Sequence, residues 1–152
     1  CKMCRLWQTS KNPCELSIEE WKNFIISLEE LSGNNIRLHF AGGEPLVKEG
    51  ILDLIEFANK RGFTTVMVSN GFLINETMAK RIVSSGLDVI SISLDSTDEA
   101  THDFLRGTKG AYRQAIHAID YLSKHGVKSI SIRTVIMGAN LHNLIELADW
   151  IH

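Results

Sequence analysis

The sequence lacks the features that would place it outside the ordinary globular proteins. It has no excess of one charge, because 16 Lys and Arg residues stand against 18 Asp and Glu residues, for a net charge of -2. This balance argues against a polybasic nucleic-acid-binding protein and against a disordered chain. Long apolar runs are also missing, since a segment that spans a bilayer needs ~20 apolar residues. We therefore expect neither nucleic acid nor a membrane as a partner.

Cysteine is scarce as well. The chain has three cysteines, an odd number, and two of them, Cys1 and Cys4, lie together at one end, which is a poor basis for a disulfide framework. Nothing near Cys14 completes a metal site, so we interpret it as a small loop or buried residue. Reactive or metal-binding cysteines fit a reducing compartment, and we expect a cytoplasmic protein.

What the chain does contain is a repeated pattern of strand, turn and helix. Apolar residues recur at helical spacing between short β-rich runs, and Ser17 with Glu20 is typical of a helix capping box. Asn75 is a second candidate for a helix N-cap. The alternation of strands and helices predicts a mainly parallel sheet. The β-rich runs start near Ile36, Thr64, Asp88 and Lys128.

Within three of these runs, apolar and polar residues alternate. In the first, Leu38 and Phe40 alternate with Arg37 and His39, which predicts one apolar face under the helices and one polar face. A flat, doubly wound sheet would bury the polar face, at roughly 1 to 3 kcal/mol for each unpaired group. We therefore predict an α/β fold: a partial (β/α) TIM-like barrel, with a parallel curved sheet and helices on its outer face.

Small and polar residues follow the successive strands. In a (β/α) barrel the functional groups lie at the carboxyl ends of the strands. Two glycines in succession let a ligand approach the backbone closely, and hydroxyl and amide groups suit a ribose or an amino-acid moiety. Each segment alone is typical of a turn or a helix cap, but their repetition favours a ligand site. The segments are Gly42-Gly43-Glu44-Pro45, Ser69-Asn70-Gly71 and Ser93-Leu94-Asp95-Ser96.

Cys1-Lys2-Met3-Cys4 places two thiols in one loop. This spacing occurs in zinc sites, redox dithiols and iron-sulfur clusters. Zinc needs further ligands, and a thioredoxin-like site needs a helix directly after the first cysteine. Two cysteines cannot hold a 4Fe-4S cluster, but a third ligand before residue 1 could complete one. A zinc-stabilised α/β ligand-binding domain and a catalytically silent barrel scaffold stay open as alternatives.

Together these motifs resemble the core of a radical S-adenosylmethionine (radical SAM) enzyme. Cys1 and Cys4 match the second and third cysteines of the family's CxxxCxxC loop, with the first expected four positions upstream, and residues 42–45 match its GGEP motif. The segments Ser69-Asn70-Gly71 and Ser93-Leu94-Asp95 are similar to its TNG turn and SLD strand end. His102-Asp103 and Arg106-Gly107 resemble the branch of molybdenum-cofactor synthases and SPASM-type peptide-modifying enzymes.

The resemblance implies a 4Fe-4S cluster with Cys1 and Cys4 as metal ligands, and S-adenosyl-L-methionine bound beside it. It implies no particular catalytic residue, and we expect His102 and Arg106 to brace the loop after the third strand. An ion pair between Asp95 and Arg133 is an alternative to a ligand role for those two residues. The implied cofactor-binding residues are Met3, Gly42, Gly43, Glu44, Pro45, Ser69, Asn70, Ser93, Asp95 and Arg133.

The activity implied by the resemblance is reductive cleavage of S-adenosylmethionine to a 5′-deoxyadenosyl radical that abstracts hydrogen, in peptide or cofactor maturation. The implied partners are a small-molecule or peptide substrate and an electron donor such as flavodoxin or ferredoxin. A complete (β/α)8 barrel takes about 250 residues. We therefore interpret residues 1–152 as a partial core domain, with a cluster loop at 1–16, βα units from about residue 35, and the first strand and the C-terminal part absent.

Overall fold

The computed structural model describes Cys1, Cys4 and residues 15–151. Met3 and Cys14 lie outside the described residues, so the predictions made for them stay predictions. Ten helices and strands and two short 3-10 turns, at Pro45–Val47 and Leu141–Asn143, make up this part of the chain. In chain order they are α1 (Ile18–Ser32), β1 (Arg37–Phe40), α2 (Ile51–Lys60), β2 (Thr64–Ser69), α3 (Glu76–Ser84), β3 (Val89–Ser93), α4 (Glu99–Arg106), α5 (Ala111–Lys124), β4 (Ile130–Arg133) and α6 (Leu144–Ile151).

The four strands form one parallel sheet in the order β1-β2-β3-β4. Sequential order with a helical connection after each strand is the arrangement of a barrel wall, whereas a doubly wound sheet reverses its strand order. The register aligns Phe40 with Met67, Met67 with Ile90, and Ile90 with Ile130. The predicted α/β fold, a partial barrel with a parallel sheet, is confirmed.

The core lies between the sheet and the helices that follow its strands. The fully buried Met67, Ile90 and Ile92 of the sheet belong to the same apolar cluster as residues of α2, α3 and α5. On β3 and β4 the residues between these apolar positions are polar, and Ser91 and Ser131 are joined by a hydrogen bond of 2.7 Å between their hydroxyls. The face of the sheet opposite the helices can therefore carry polar residues, because hydroxyls such as these pair between neighbouring strands.

Local signals set the helix starts as predicted. Ser17 and Glu20 form the reciprocal capping box of α1, and the side chain of Asn75 accepts a hydrogen bond from the Met78 N–H at the start of α3. The apolar side chains of α1 are only partly buried, because α1 packs on α2 at the edge of the sheet. Ile25 is buried, but half of Phe24 and 86% of Leu31 are exposed.

One helix lies where the sequence analysis expected only a loop. After β3 the chain forms α4, which begins behind an Asp98 side chain that accepts the Thr101 N–H at 2.7 Å and ends at Gly107 in the left-handed conformation. This helix lies over the carboxyl end of β3, where the functional groups of a (β/α) barrel are found. Over the part of the chain that the structure describes, no helix is both long and apolar enough to cross a membrane.

Candidate cofactor-binding site

The carboxylate of Glu44 is fixed between the ends of two neighbouring strands. Its Oε1 accepts a hydrogen bond from Ser69 Oγ at 2.9 Å, and its Oε2 accepts one from the Asn70 N–H at 2.8 Å. Ser69 Oγ in turn accepts the Gly71 N–H at 3.0 Å. Two of the three predicted strand-end segments are thus joined through one carboxylate. Ser69 is almost wholly buried, so its hydroxyl orients Glu44.

The backbone before Glu44 is open on one side. Gly42 has a φ of +152°, which side-chain-bearing residues rarely adopt, and a Cβ built on Gly42 or on Gly43 would meet no atom within 4 Å. A ligand can therefore contact the backbone of both glycines directly. Pro45 is buried and begins the 3-10 turn that ends this segment, where its missing N–H leaves no donor unpaired.

Cys1 lies in the same region as Glu44. Both residues line a cavity of about 330 Å³, together with Asn70, His102 and Arg106. Cys1 is exposed, Cys4 is partly buried, and the Cys4 N–H donates to the Cys1 carbonyl at 3.2 Å. The structure therefore places Cys1, one of the two predicted metal ligands, near Glu44 of the GGEP segment.

Glu44 also lines a larger cavity, of about 380 Å³, between α1 and β1. Most of the residues around it are apolar, among them Trp21, Phe24 and Leu38. The two glycines before Glu44 line this cavity as well. We place the candidate site on the side of Glu44 that holds Cys1, because that side combines the Cys1 thiol, the Asn70 amide and the Arg106 guanidinium.

Asp95 has a different ion-pair partner from the one considered in the sequence analysis. Its side chain is fully buried, and its Oδ2 lies 2.7 Å from Nε of Arg106, not beside Arg133. The other carboxylate oxygen accepts the Val135 N–H at 3.0 Å. The reason is the unpredicted helix α4, which brings Arg106 back over the end of β3. Any role of Asp95 toward a ligand therefore acts through Arg106.

His102 and Arg106 are one helical turn apart and both face Asp95. Nδ1 of His102 accepts the Asp95 N–H at 3.1 Å, so a neutral imidazole carries its proton on Nε2. Burial and the neighbouring Arg106 cation lower the pKa of His102 below its usual value. The expectation that the two residues brace the segment after β3 agrees with this geometry.

The remaining predicted residues lie at the same edge of the sheet without lining the cavity beside Cys1. Ser93 ends β3 and is 9% exposed, and Arg133 ends β4 beside it in the register and is exposed. Sequence reasoning did not include Phe72 and Leu73, which add apolar surface to the cavity. The sequence could have indicated them, because they directly follow the strand-end segment Ser69-Asn70-Gly71.

The comparisons with known proteins agree with this geometry. The sequence model of the Radical SAM superfamily matches residues 1–151. An AdoMet-dependent heme synthase of Nitratidesulfovibrio vulgaris is 36% identical over 148 residues, which cover 97% of this chain and 40% of that protein. A PqqA peptide cyclase of Granulibacter bethesdensis is 30% identical over 135 residues, covering 89% of this chain and 35% of the cyclase. The chain therefore spans well under half the length of these relatives.

A solved structure supports the fold. The crystal structure of Streptococcus suis SuiB superposes with a TM-score of 0.73 at 21% identity, over 91% of this chain and 31% of SuiB. The partial barrel that the strand pattern predicted is therefore also found in a solved structure. The sequence match covers the cysteine loop, the GGEP segment and the ends of all four strands, and this chain belongs to the Radical SAM superfamily.

Proposed function

We propose that this chain is the cofactor-binding core of a radical SAM enzyme, in which Cys1 and Cys4 ligate a 4Fe-4S cluster and Glu44 binds S-adenosyl-L-methionine beside it. The observation that carries the proposal is the position of Glu44. Its carboxylate is held by Ser69 and Asn70 and lines the same cavity as Cys1. A fixed anion next to a metal-ligand thiol suits a ligand that carries an ammonium group and also binds a metal.

The residues around Glu44 fit the methionyl part of this ligand. Gly42 and Gly43 line the larger cavity on the other side of Glu44, and the open space beside them lets an ammonium group held by Glu44 also reach backbone carbonyls. Phe72 and Leu73 add apolar walls to the cavity beside Cys1, and such walls keep water away from reactive groups. The cluster and S-adenosylmethionine, when bound, supply a 5′-deoxyadenosyl radical for hydrogen abstraction.

Further roles follow from the position of each residue. We assign Ser93 and Arg133 to the polar part of the ligand or to the substrate, because both end strands at this edge of the sheet. Pro45 fixes the end of the GGEP segment, and Asn70 supplies the N–H that orients Glu44. Met3, in the cysteine loop, is proposed to contact the adenine through its thioether.

For the substrate we propose a cofactor precursor or a peptide. The relatives reported above include an AdoMet-dependent heme synthase and a PqqA peptide cyclase, and the heme synthase is similar over almost the whole chain. Heme formation is therefore the first activity to test. Assignment to the SPASM and molybdenum-cofactor-synthase branch rests on His102-Asp103 and Arg106-Gly107. We also propose a cytoplasmic location and a flavodoxin or ferredoxin as the electron donor.

The test is anaerobic reconstitution of the complete gene product, which we expect to carry a cysteine four positions before Cys1. Iron and sulfide should be found in equal amounts, and a strong reductant with S-adenosylmethionine should yield 5′-deoxyadenosine. Cys1→Ala and Cys4→Ala should each lose both. Zinc without sulfide would instead support the zinc-stabilised domain, and a cluster without 5′-deoxyadenosine would refute the proposed activity.

A further inference from the structure

Arg106 connects a fully buried carboxylate to the metal-ligand loop. Its Nε lies 2.7 Å from Oδ2 of Asp95, and its Nη1 lies 4.0 Å from Sγ of Cys1. Arg106 itself is mostly buried, since only 12% of its side chain is exposed. Burying an ion pair removes both charges from water at a cost in desolvation, so such a pair is weak evidence for a purely stabilising role.

The position of this guanidinium is fixed through Asp95. The Asp95 N–H donates to His102 at 3.1 Å, and its carbonyl accepts the side-chain amide of Asn140 at 2.7 Å. Its second carboxylate oxygen accepts the Val135 N–H at 3.0 Å. The N–H, the carbonyl and Oδ1 of Asp95 are thus hydrogen-bonded, while Oδ2 faces Arg106 Nε as an ion pair without hydrogen-bond geometry. Because these partners come from α4 and from the segment after β4, Asp95 is a rigid anchor for Arg106.

We propose that Arg106 is a positioning residue that sets the reduction potential of the cluster ligated by Cys1. The inference rests on the proposed function, because it requires a cluster at the cysteine loop. Charge and hydrogen bonding near the sulfur ligands are among the main determinants of iron-sulfur potentials. A cation near Cys1 Sγ stabilises the more negative, reduced cluster, so Arg106 raises the potential and eases the entry of the electron.

The test measures the midpoint potential of the cluster by anaerobic titration followed by EPR, using the complete protein. Arg106→Gln removes the cation and leaves the Asp95 carboxylate uncompensated. At a fixed solution potential we expect about a tenfold lower ratio of reduced to oxidised cluster, which corresponds to a midpoint lower by about 59 mV for one electron. Arg106→Lys keeps the charge and should restore most of this ratio.

The matched control is Arg113→Gln. It makes the same change in net charge, but Arg113 forms an exposed ion pair with Glu99 and is not among the residues that line the cavity with Cys1. Its midpoint should equal that of the wild type. If Arg106→Gln binds a normal amount of cluster and has the midpoint of Arg113→Gln, the inference is wrong.

A second variant covers the case in which Arg106→Gln does not fold. Asp95→Asn removes the anion but keeps a side-chain oxygen that can accept from the guanidinium, so Arg106 stays in place and the midpoint should rise, opposite in sign to Arg106→Gln. A lowered or unchanged midpoint in Asp95→Asn would overturn the inference. A wild-type protein that assembles no cluster refutes the proposed function instead, so the two failures are distinguishable.

Discussion

The side chains of Glu44 and Ser69 are joined by a hydrogen bond of 2.9 Å that links the segment after β1 to the last residue of β2. Glu44 is partly exposed, whereas Ser69 is almost fully buried. The buried hydroxyl therefore holds the carboxylate in one orientation at the wall of the cavity. A carboxylate that is oriented before the ligand arrives loses little conformational freedom on binding.

Glu44→Gln should weaken the binding of S-adenosylmethionine. The amide can still accept from the Asn70 N–H and pair with Ser69, so the fold should persist while the charge is lost. Hydrogen bonds to charged groups contribute about 1.5 to 3 kcal/mol. We expect roughly ten- to hundredfold weaker binding, measured by anaerobic titration calorimetry on the cluster-containing protein.

Glu49→Gln is the control for this measurement. It removes the same charge five positions further along the chain, at an exposed residue outside the cavity beside Cys1. Its affinity should match that of the wild type. Equal affinities for Glu44→Gln and Glu49→Gln would show that Glu44 does not contact the ammonium group.

Gly71→Ala should destabilise the fold next to the site. Gly71 has a φ of +80°, and an added Cβ would lie 3.1 Å from the Cα of Ala115 and 3.2 Å from the Cβ of Ala118. Left-handed backbone costs roughly 1 to 2 kcal/mol for a residue with a side chain, and overpacking adds about 1 to 3 kcal/mol. Thermal unfolding should show a loss of about 2 to 5 kcal/mol in the free energy of unfolding.

Gly110→Ala separates the two contributions. Gly110 has nearly the same φ, +82°, but a Cβ there would meet no atom within 4 Å. It should lose only the backbone contribution of about 1 to 2 kcal/mol. If Gly71→Ala and Gly110→Ala lose the same free energy of unfolding, the close contact of residue 71 with α5 does not explain the requirement for glycine at that position.

The sequence predicted those features of the fold that depend on local chemistry. The capping box at Ser17 and Glu20, the N-cap at Asn75 and the strand-end glycines were visible because a few adjacent residues determine each of them. The alternation of strands and helices predicted the parallel sheet. The alternation of apolar and polar residues in β1, β3 and β4 predicted that helices cover only one face of that sheet. The juxtaposition of Glu44 with Asn70 followed from the parallel order alone.

The sequence did not predict what depends on tertiary contacts. Helix α4 is eight residues long and has few apolar residues, and in the structure it stays helical between its Asp98 cap and Gly107. Without that helix, the spacing of His102 and Arg106 did not indicate that both side chains face Asp95, and Arg133 was the nearest cation in the strand pattern. The ion pair of Asp95 with Arg106 became visible only when α4 was placed over the end of β3.

Asn140→Ala should destabilise the carboxyl end of β3. Asn140 is fully buried, and its amide donates to the carbonyls of Asp95 at 2.7 Å and Val135 at 3.0 Å, while its oxygen accepts the Met137 N–H at 2.8 Å. Buried groups left without partners cost about 1 to 3 kcal/mol each. Only the hydrogen bond to the Asp95 carbonyl is fully buried, and water can replace the two part-buried ones, so we expect a loss of about 1 to 3 kcal/mol in denaturant unfolding.

Asn140→Asp tests the direction of these hydrogen bonds. The carboxylate can still accept from the Met137 N–H, but it places negative charge against the carbonyls of Asp95 and Val135. Asn140→Asp should therefore be less stable than Asn140→Ala at neutral pH. The control is Asn35→Ala, at an exposed position, which should have nearly the unfolding free energy of the wild type. An Asn140→Asp variant as stable as the wild type would rule out the two donated hydrogen bonds.

The last prediction concerns pH and Asp103. Its carboxylate accepts the N–H of Gly110 at 2.6 Å and that of Tyr112 at 2.9 Å, at the N-terminus of α5. Desolvation raises the pKa of Asp103, but the N–H donors and the neighbouring His102 outweigh this and lower the pKa below its usual value. Asp103→Asn should therefore be less stable at neutral pH, since losing a helix cap costs about 1 kcal/mol.

The sign of the pH dependence follows from the lowered pKa. A carboxyl group with a folded pKa below its unfolded value of about 3.9 contributes its full stability above that pH. The contribution is lost as the pH falls through the folded pKa. The difference in unfolding free energy between wild type and Asp103→Asn should thus be constant near neutrality and shrink below pH ~4. The control is Asp120→Asn, at an exposed position on α5, whose difference from the wild type should not depend on pH. If the difference between wild type and Asp103→Asn instead grew in acid, Asp103 would not be the cap of α5.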